Sequence, residues 1–321
     1  MPLGGGRTAG TVGALDVTAA DGLEVRQARH DDRETVVAFT EDTWPELGGD
    51  YLPRVFDEWV DTDGPEQHTF VAAVDDRPVG VLQAVLLSDH EAWAQGMRVA
   101  PEFRGASVGR RLSRAAFEWA AVRNATVCRN MVFSWNAAGL GQARAVGFEP
   151  VAEFRWLEPD ADPEAPRELA VGHDPAVAWS TFRGSAADRH LRGLGLDLEE
   201  SWALAEVTER RLGAAESTLA LRGEDRRRAM TYRTRTFERE DDEGAEETWA
   251  EYGVAAWEDH EALSELAAAI ARDAAAAGAD RARVLVPETP RHVSDAARAR
   301  VPFVDEPDFV LERDLTGYGS R

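Results

Sequence analysis

The stretch VAPEFRGASVGRR, residues 99–111, sets the end of an apolar strand against a loop of small residues and the start of a helix. The strand is WAQGMRV (93–99), and Pro101 closes it. Arg104, Gly105, Ala106, Ser107, Val108, Gly109 and Arg110 follow, and Arg111 extends the basic run. A loop of this kind turns successive backbone N–H groups toward one point, and the helix N-terminus adds partial positive charge. Gly105 and Gly109 permit positive φ and close approach, and the arginines add full charge. Two readings stand side by side: a phosphate or pyrophosphate site, and a strand-to-helix turn that needs small residues.

The flanking sequence gives the loop a context. Downstream, Val108, Leu112, Ala115, Trp119 and Val122 recur at helical spacing and predict one apolar helix face. TVCRNMVFS (126–134) reads as a strand, NAAGLGQARAVGF (136–148) as a short helix ending at Gly147, and VAEFRWL (151–157) as a strand. Upstream, LEVRQA (23–28) reads as a strand, 31–44 and 51–60 as helices, and HTFVAAV (68–74) and PVGVLQAVLL (78–87) as a hairpin turning at DDRP. A dinucleotide-binding fold would open with the strand–loop–helix unit; here it comes late.

Composition narrows the function classes. Among 321 residues, 59 are acidic and 36 basic, a net charge of −23; there is no lysine and one isoleucine, Ile270. This pattern fits a salt-adapted, GC-rich source with a solvated acidic surface. It excludes broad nucleic-acid binding, because a polyanion is repelled. No apolar run reaches membrane-spanning length, and the first twenty residues lack a signal peptide's apolar core. Cys128 stands alone, so no internal disulfide forms and a cytoplasmic location is expected. The seven histidines show no metal-binding spacing, so no metal is expected.

Element order and two motifs resemble the GNAT (Gcn5-related N-acetyltransferase) superfamily. Arg104-Gly-Ala-Ser-Val-Gly109 is similar to that family's Arg/Gln-x-x-Gly-x-Gly/Ala acetyl-CoA motif, with Ser107 in place of the central glycine. Asn136, Gly147 and Phe148 are in register with its Asn…Gly-Phe motif. DYLPRVFDEWV (50–60) together with GMRVAPEFRG (96–105) is similar to the branch that acetylates the α-amine of histidine. The resemblance covers 23–157. It implies an α/β (α+β) fold with a mixed, mostly antiparallel sheet flanked by helices. It implies acetyl-CoA as cosubstrate, with acetyl passed to a primary amine of a small molecule or peptide by direct attack.

Residue by residue, the family pattern implies that the backbone of Met97, Arg98 and Val99 pairs with the pantetheine arm. The amides from Arg104 to Arg110 (Gly105, Ala106, Ser107, Val108 and Gly109 between them) hold the pyrophosphate. Asn136 meets the cofactor near its thioester, and an N–H near Val99 stabilises the oxyanion. Ala143 stands where the family often has a tyrosine that reprotonates the departing thiolate, and alanine cannot do so. Tyr51 is the candidate general acid in its place. Glu91 is the candidate general base, with His90 and His68 considered beside it. The missing tyrosine also keeps open a non-catalytic acetyl-CoA sensor.

After a Pro-rich acidic stretch (158–170) read as a linker, the order repeats loosely over 171–316. AVAWSTF (176–182) reads as a strand and 198–212 as an amphipathic helix. Three strands follow between 217 and 257, then a helix (260–277), a strand (283–288), a short helix (294–300) and a last strand (307–315). GLGLDL (193–198) reads as a turn, and 238–247 as a solvated hairpin loop. At the matching position stand Glu258 and Asp259, which would repel a pyrophosphate. The expectation is two tandem GNAT-like domains behind a Gly-rich tail (1–22), the second degenerate, in a monomer or homodimer.

Overall fold

The computed structural model of the protein describes residues 22–41, 43, 49–240 and 244–318. The Gly-rich tail up to residue 21, the end of the expected 31–44 helix and the centre of the 238–247 loop lie outside them. The chain divides into two compact units, one of residues 1–83 and 96–116, the other of residues 84–95 and 117–321.

In the first unit, strands β1 (Leu23–Gln27), β2 (Gln67–Val74), β3 (Arg77–Leu86) and the end of β4 (Glu91–Val99) are neighbours in that order. β1 pairs antiparallel with β2. The β2–β3 hairpin turns at Asp75 and Asp76, both at positive φ (50° and 63°), as a two-residue turn matched to strand twist requires. Helix α1 (Arg33–Thr40) follows a 3-10 turn, and α2 (Leu52–Thr62) buries Leu52, Phe56 and Trp59 at positions i, i+4 and i+7. These side chains close a core with Val36, Val71, Ala73 and Val81. Helix α3 (Val108–Ala121) begins in this unit. It ends at Ala121, so Val122 is 71% exposed, not the last residue of the apolar face.

In the second unit the start of β4 pairs parallel with β5 (Val127–Phe133), and the ladder covers Glu91–Trp93. Helix α4 (Ala137–Ala145) leads to β6 (Glu149–Leu157). A short β7 (Ala170–Gly172) precedes helices α5 (Pro175–Arg183) and α6 (Ala186–Leu191) and a small two-stranded pair, β8 (Leu194–Leu196) with β9 (Leu204–Glu206). Helix α7 (Glu209–Ala214), strands β10 (Ser217–Arg222), β11 (Arg227–Glu240), β12 (Glu246–Tyr252) and β13 (Ala256–Trp257), helix α8 (His260–Ala276), β14 (Arg281–Pro287), α9 (Pro290–Ala299) and β15 (Asp308–Asp314) follow. β12 and β14 form a second parallel pair.

Across the centre of the sheet the strand order is β5-β15-β6-β14. The last strand of the chain, β15, lies between β5 and β6, antiparallel to both. β6 in turn pairs antiparallel with β14. The compact units therefore do not divide at 158–170. That stretch is pinned, not a free linker: Glu158 N–H donates to Pro302 O (2.8 Å), Ala161 N–H to Asp280 O (3.1 Å), and Ala165 is buried. A repeat is visible across the halves: EAWAQ (91–95) opens β4 and ETWAE (247–251) lies on β12, each strand being the first of a parallel pair.

Three expected elements differ. Residues 176–182 lie in helix α5, because Asp174 caps Ala176 N (2.9 Å) and Pro175 suits the first turn. Residues 198–212 do not form one helix. Asp197 accepts from the N–H groups of Glu199 and Glu200, Trp202 takes φ 64°, and Thr208 starts α7 afresh. Residues 194–196, expected as part of a turn, form β8.

Candidate functional site

The loop after β4 keeps its residues near the surface and its backbone turned. Pro101–Phe103 make one 3-10 turn, Gly105 takes φ 83° and Ser107 φ 65°. Arg111 N–H donates to the Ser107 carbonyl (3.1 Å), which makes Ser107 the residue that opens α3. The N–H groups of Val108, Gly109 and Arg110 are then first-turn donors with no carbonyl one turn earlier to accept them. Arg104 and Arg110 are exposed around them, and Arg111 is tied to Leu23 O at 2.6 Å. This donor set fits a pyrophosphate: converging amides, a helix N-terminus and guanidinium groups. Ser107, the departure from the motif, occupies the left-handed conformation that the missing glycine would adopt freely.

Close packing sets the helix start against the sheet. A Cβ at Gly80 would lie 2.8 Å from Val108 Cγ1 and 3.1 Å from the Arg98 carbonyl oxygen. Only glycine on β3 lets the first turn of α3 approach the end of β4 this closely.

The end of β4 carries Met97, Arg98 and Val99. Just before them Gly96 takes φ 65°, a left-handed kink inside a strand that re-aims the backbone following it. Helix α2 lies against the kink: a Cβ at Gly96 would meet Trp59 at 2.5 Å and the Tyr51 hydroxyl at 3.4 Å. Tyr51 and Trp59 are edge-to-face at 6.1 Å. The Tyr51 ring faces the Arg98 guanidinium at 5.5 Å, and Arg98 forms a two-point pair with Asp50. Asp50, Trp59, Gly80 and Gly96 were not singled out from sequence, because their roles arise from contacts between separate segments.

Glu91 lies at the other end of β4, 1% exposed. Its carboxylate accepts from Arg129 Nη1 (2.6 Å), the Ser88 hydroxyl (2.9 Å) and Glu206 N–H (2.9 Å). That arrangement is a buried structural anchor and corrects the expectation of a general base, which needs an accessible lone pair. His90 is half exposed and sits 3.6 Å from Glu206, and His68 stacks edge-on against Phe70 at 4.4 Å. The ligand atoms of His90, Glu91 and Glu206 lie within 4.8 Å of one another. A divalent ion there would have to compete with the Arg129 guanidinium for Glu91, so the cluster does not fit a metal.

Asn136, in the second unit, is the N-cap of α4: its side-chain oxygen accepts from Gly139 N at 2.9 Å. Ala143 is buried on that helix, so its position offers no phenol. Cys128 is buried, and burial pushes its thiol up to about 12, so it is an inert core residue.

At the start of α8, Glu258 and Asp259 both have partners. Asp259 caps α8 through Ala262 N (2.9 Å) and pairs with Arg228 (2.8 Å). Burial opposes its ionisation, but the Ala262 N–H and Arg228 together hold its carboxyl below the usual range. Glu258 pairs with Arg226 (2.7 Å).

Residues 33–148 match the model of the acetyltransferase (GNAT) family. Solved structures resemble almost the whole chain. A GCN5-related N-acetyltransferase from Sphaerobacter thermophilus has a TM-score of 0.56 at 14% identity, over 92% of this chain and 96% of that one. A proposed acetyltransferase from Thermoplasma acidophilum has a TM-score of 0.55 at 18% identity, over 91% and 99%. A GCN5-related N-acetyltransferase from Anabaena variabilis has a TM-score of 0.50 at 10% identity, over 91% and 73%. At these identities the likeness is one of fold. No curated protein matches the chain. Residues 33–148 therefore carry a domain that matches the acetyltransferase (GNAT) family, and the chain as a whole shares the fold of these solved structures. Among the described residues no helix is long and apolar enough to cross a membrane.

Proposed function

We propose that the protein is an acetyl-CoA-dependent N-acetyltransferase with its chemistry in the earlier half. The observation that carries this reading is the loop 104–110. Its Ser107-opened helix start, left-handed Gly105 and exposed Arg104 and Arg110 form an anion cradle beside the kinked end of β4. The first-turn amides and guanidinium groups hold the pyrophosphate. The Met97–Val99 backbone binds the pantetheine arm as an added strand would, and the Val99 N–H supports the developing oxyanion. Acetyl-CoA brings an already activated acyl group, so the chain's contribution is orientation and proton handling. Tyr51, whose hydroxyl lies against the kink, is the proton donor to the leaving thiolate in place of the tyrosine absent at Ala143. The acceptor is a primary amine of a small molecule or peptide, and its proton leaves to solvent. The later half supports the fold without a cofactor site of its own.

Calorimetry with acetyl-CoA, followed by thiol release against an amine panel, tests the reading. Gly105→Asp is the informative variant: aspartate tolerates left-handed φ, and the position has no neighbour within 4 Å. It puts a negative charge into the cradle without disturbing the core. A loss of affinity of ~10-fold or more is expected, and unchanged affinity refutes the loop assignment. Binding with no thiol release for any amine would instead favour the sensor.

A further inference from the structure

The geometry points to Asp50 as a positioning residue for acyl transfer: by pairing with Arg98 it fixes the Met97–Val99 backbone of β4. The inference rests on the reading that this backbone presents the thioester. Its origin is the kink. Gly96 at φ 65° breaks the extended conformation of β4, so the three residues after it need a restraint from outside the strand.

The Asp50–Arg98 pair supplies that restraint. Arg98 Nε donates to Asp50 Oδ2 at 2.6 Å and Nη2 to Oδ1 at 3.1 Å. The Asp50 side chain is 1% exposed and that of Arg98 12%. A buried two-point fork fixes direction as well as distance. Both ends are anchored. Asp50 Oδ1 also accepts from Leu52 N–H at 3.0 Å, which ties the carboxylate to the first turn of α2. Arg98 Nη1 donates to the Met97 carbonyl at 3.0 Å, so the guanidinium folds back onto its own strand. A continuous path of contacts therefore runs from α2 through Asp50 and the guanidinium to the Met97–Arg98 peptide, one residue from the Val99 N–H.

A buried ion pair adds little net stability compared with a well-packed apolar substitute, so its value lies in orientation. Without Asp50 the guanidinium loses its direction, and the peptide it holds is released. A displacement of about 1 Å in such an element costs up to ~100-fold in rate. The pyrophosphate loop does not pass through Asp50, so the loss falls on turnover and spares cofactor affinity.

The experiment uses the full chain. Asp50→Asn keeps the shape, and its amide oxygen can still accept from Leu52 N–H. The expected result is a kcat lower by ~10–100-fold with acetyl-CoA affinity, measured by calorimetry, within about 3-fold of the unmodified protein. Arg98→Met should give a similar loss, and the double variant should be no slower than the worse single variant. Arg98→Lys keeps the charge without the fork and should remain folded but slow. Wild-type kcat in Asp50→Asn or Arg98→Lys overturns the inference. So do losses that multiply in the double variant, and a loss confined to affinity. If the unmodified chain binds no acetyl-CoA, the functional reading itself falls, and the inference with it.

Discussion

Ala255 donates its backbone N–H to the carbonyl of Leu285 at 2.9 Å. In the repeat that aligns EAWAQ with ETWAE, Ala255 is the counterpart of Val99. The β4–β5 ladder ends at Trp93, whereas the β12–β14 ladder starts at Trp249 and runs to Tyr252 before this further bond. The N–H that the proposed mechanism uses in the earlier half is thus already spent in the later one, and Asp259 occupies the matching helix start. One acetyl-CoA should bind per chain, and calorimetric titration gives the number directly. A stoichiometry of two would show that the later half opens.

Ser107 holds a left-handed conformation that costs an ordinary side chain about 1 kcal/mol. Ser107→Gly removes that strain but adds freedom to the unfolded chain, so stability should change by less than about 1 kcal/mol. Ser107→Val, branched at Cβ, should lose about 1–3 kcal/mol. Urea midpoints at constant slope measure both. An equal tolerance of glycine and valine would argue against the conformation.

Glu91 separates an anchor from a base. Glu91→Ala leaves the Arg129 guanidinium without its 2.6 Å partner and the Glu206 N–H without an acceptor. Removing one member of a buried pair costs about 3–5 kcal/mol. The folded fraction, assayed well below its melting temperature, should keep a near-normal kcat. A large fall in kcat with unchanged stability would restore the catalytic role.

Asp308, at the start of β15, gives a pH signature. Burial pushes its carboxyl up to about 7 from an ordinary 3.8, against the lowering effect of Arg283. Between about pH 4 and 7 the folded chain holds a proton that the unfolded chain has released. This group's contribution to stability therefore falls as pH rises through that window and is level above it. Asp308→Asn should match the unmodified protein near pH 4 and exceed it in urea midpoint at pH 8. Equal midpoints at pH 8 would contradict the shift.

The turned loop at 104–110, ahead of a helix, was legible because its signal is local: glycine, small residues and arginine within seven positions. The elements of the earlier half followed from periodicity for the same reason. What escaped reading is non-local. Gly80 and Gly96 matter only because Val108 and Trp59 arrive from other segments, and Asp50 only because Arg98 does. Residues 176–182 misled because Val, Trp and Phe suggest a strand while the start signal, Asp174-Pro175, lies just before them. The spacing within 198–212 was helical by accident; the acceptor Asp197 and the turn at Trp202 dictate the backbone there. The placement of β15 between β5 and β6 has no signature in either strand's composition.

The late placement of β15 between β5 and β6 sets a timetable for synthesis. β5 and β6 leave the ribosome early but gain their shared neighbour only when residues 308–314 emerge, more than 150 positions after β6 ends. Until then two long strand edges wait uncovered. A chain stopped before β15 therefore keeps the 104–110 loop intact in sequence while lacking the strand that lies between β5 and β6.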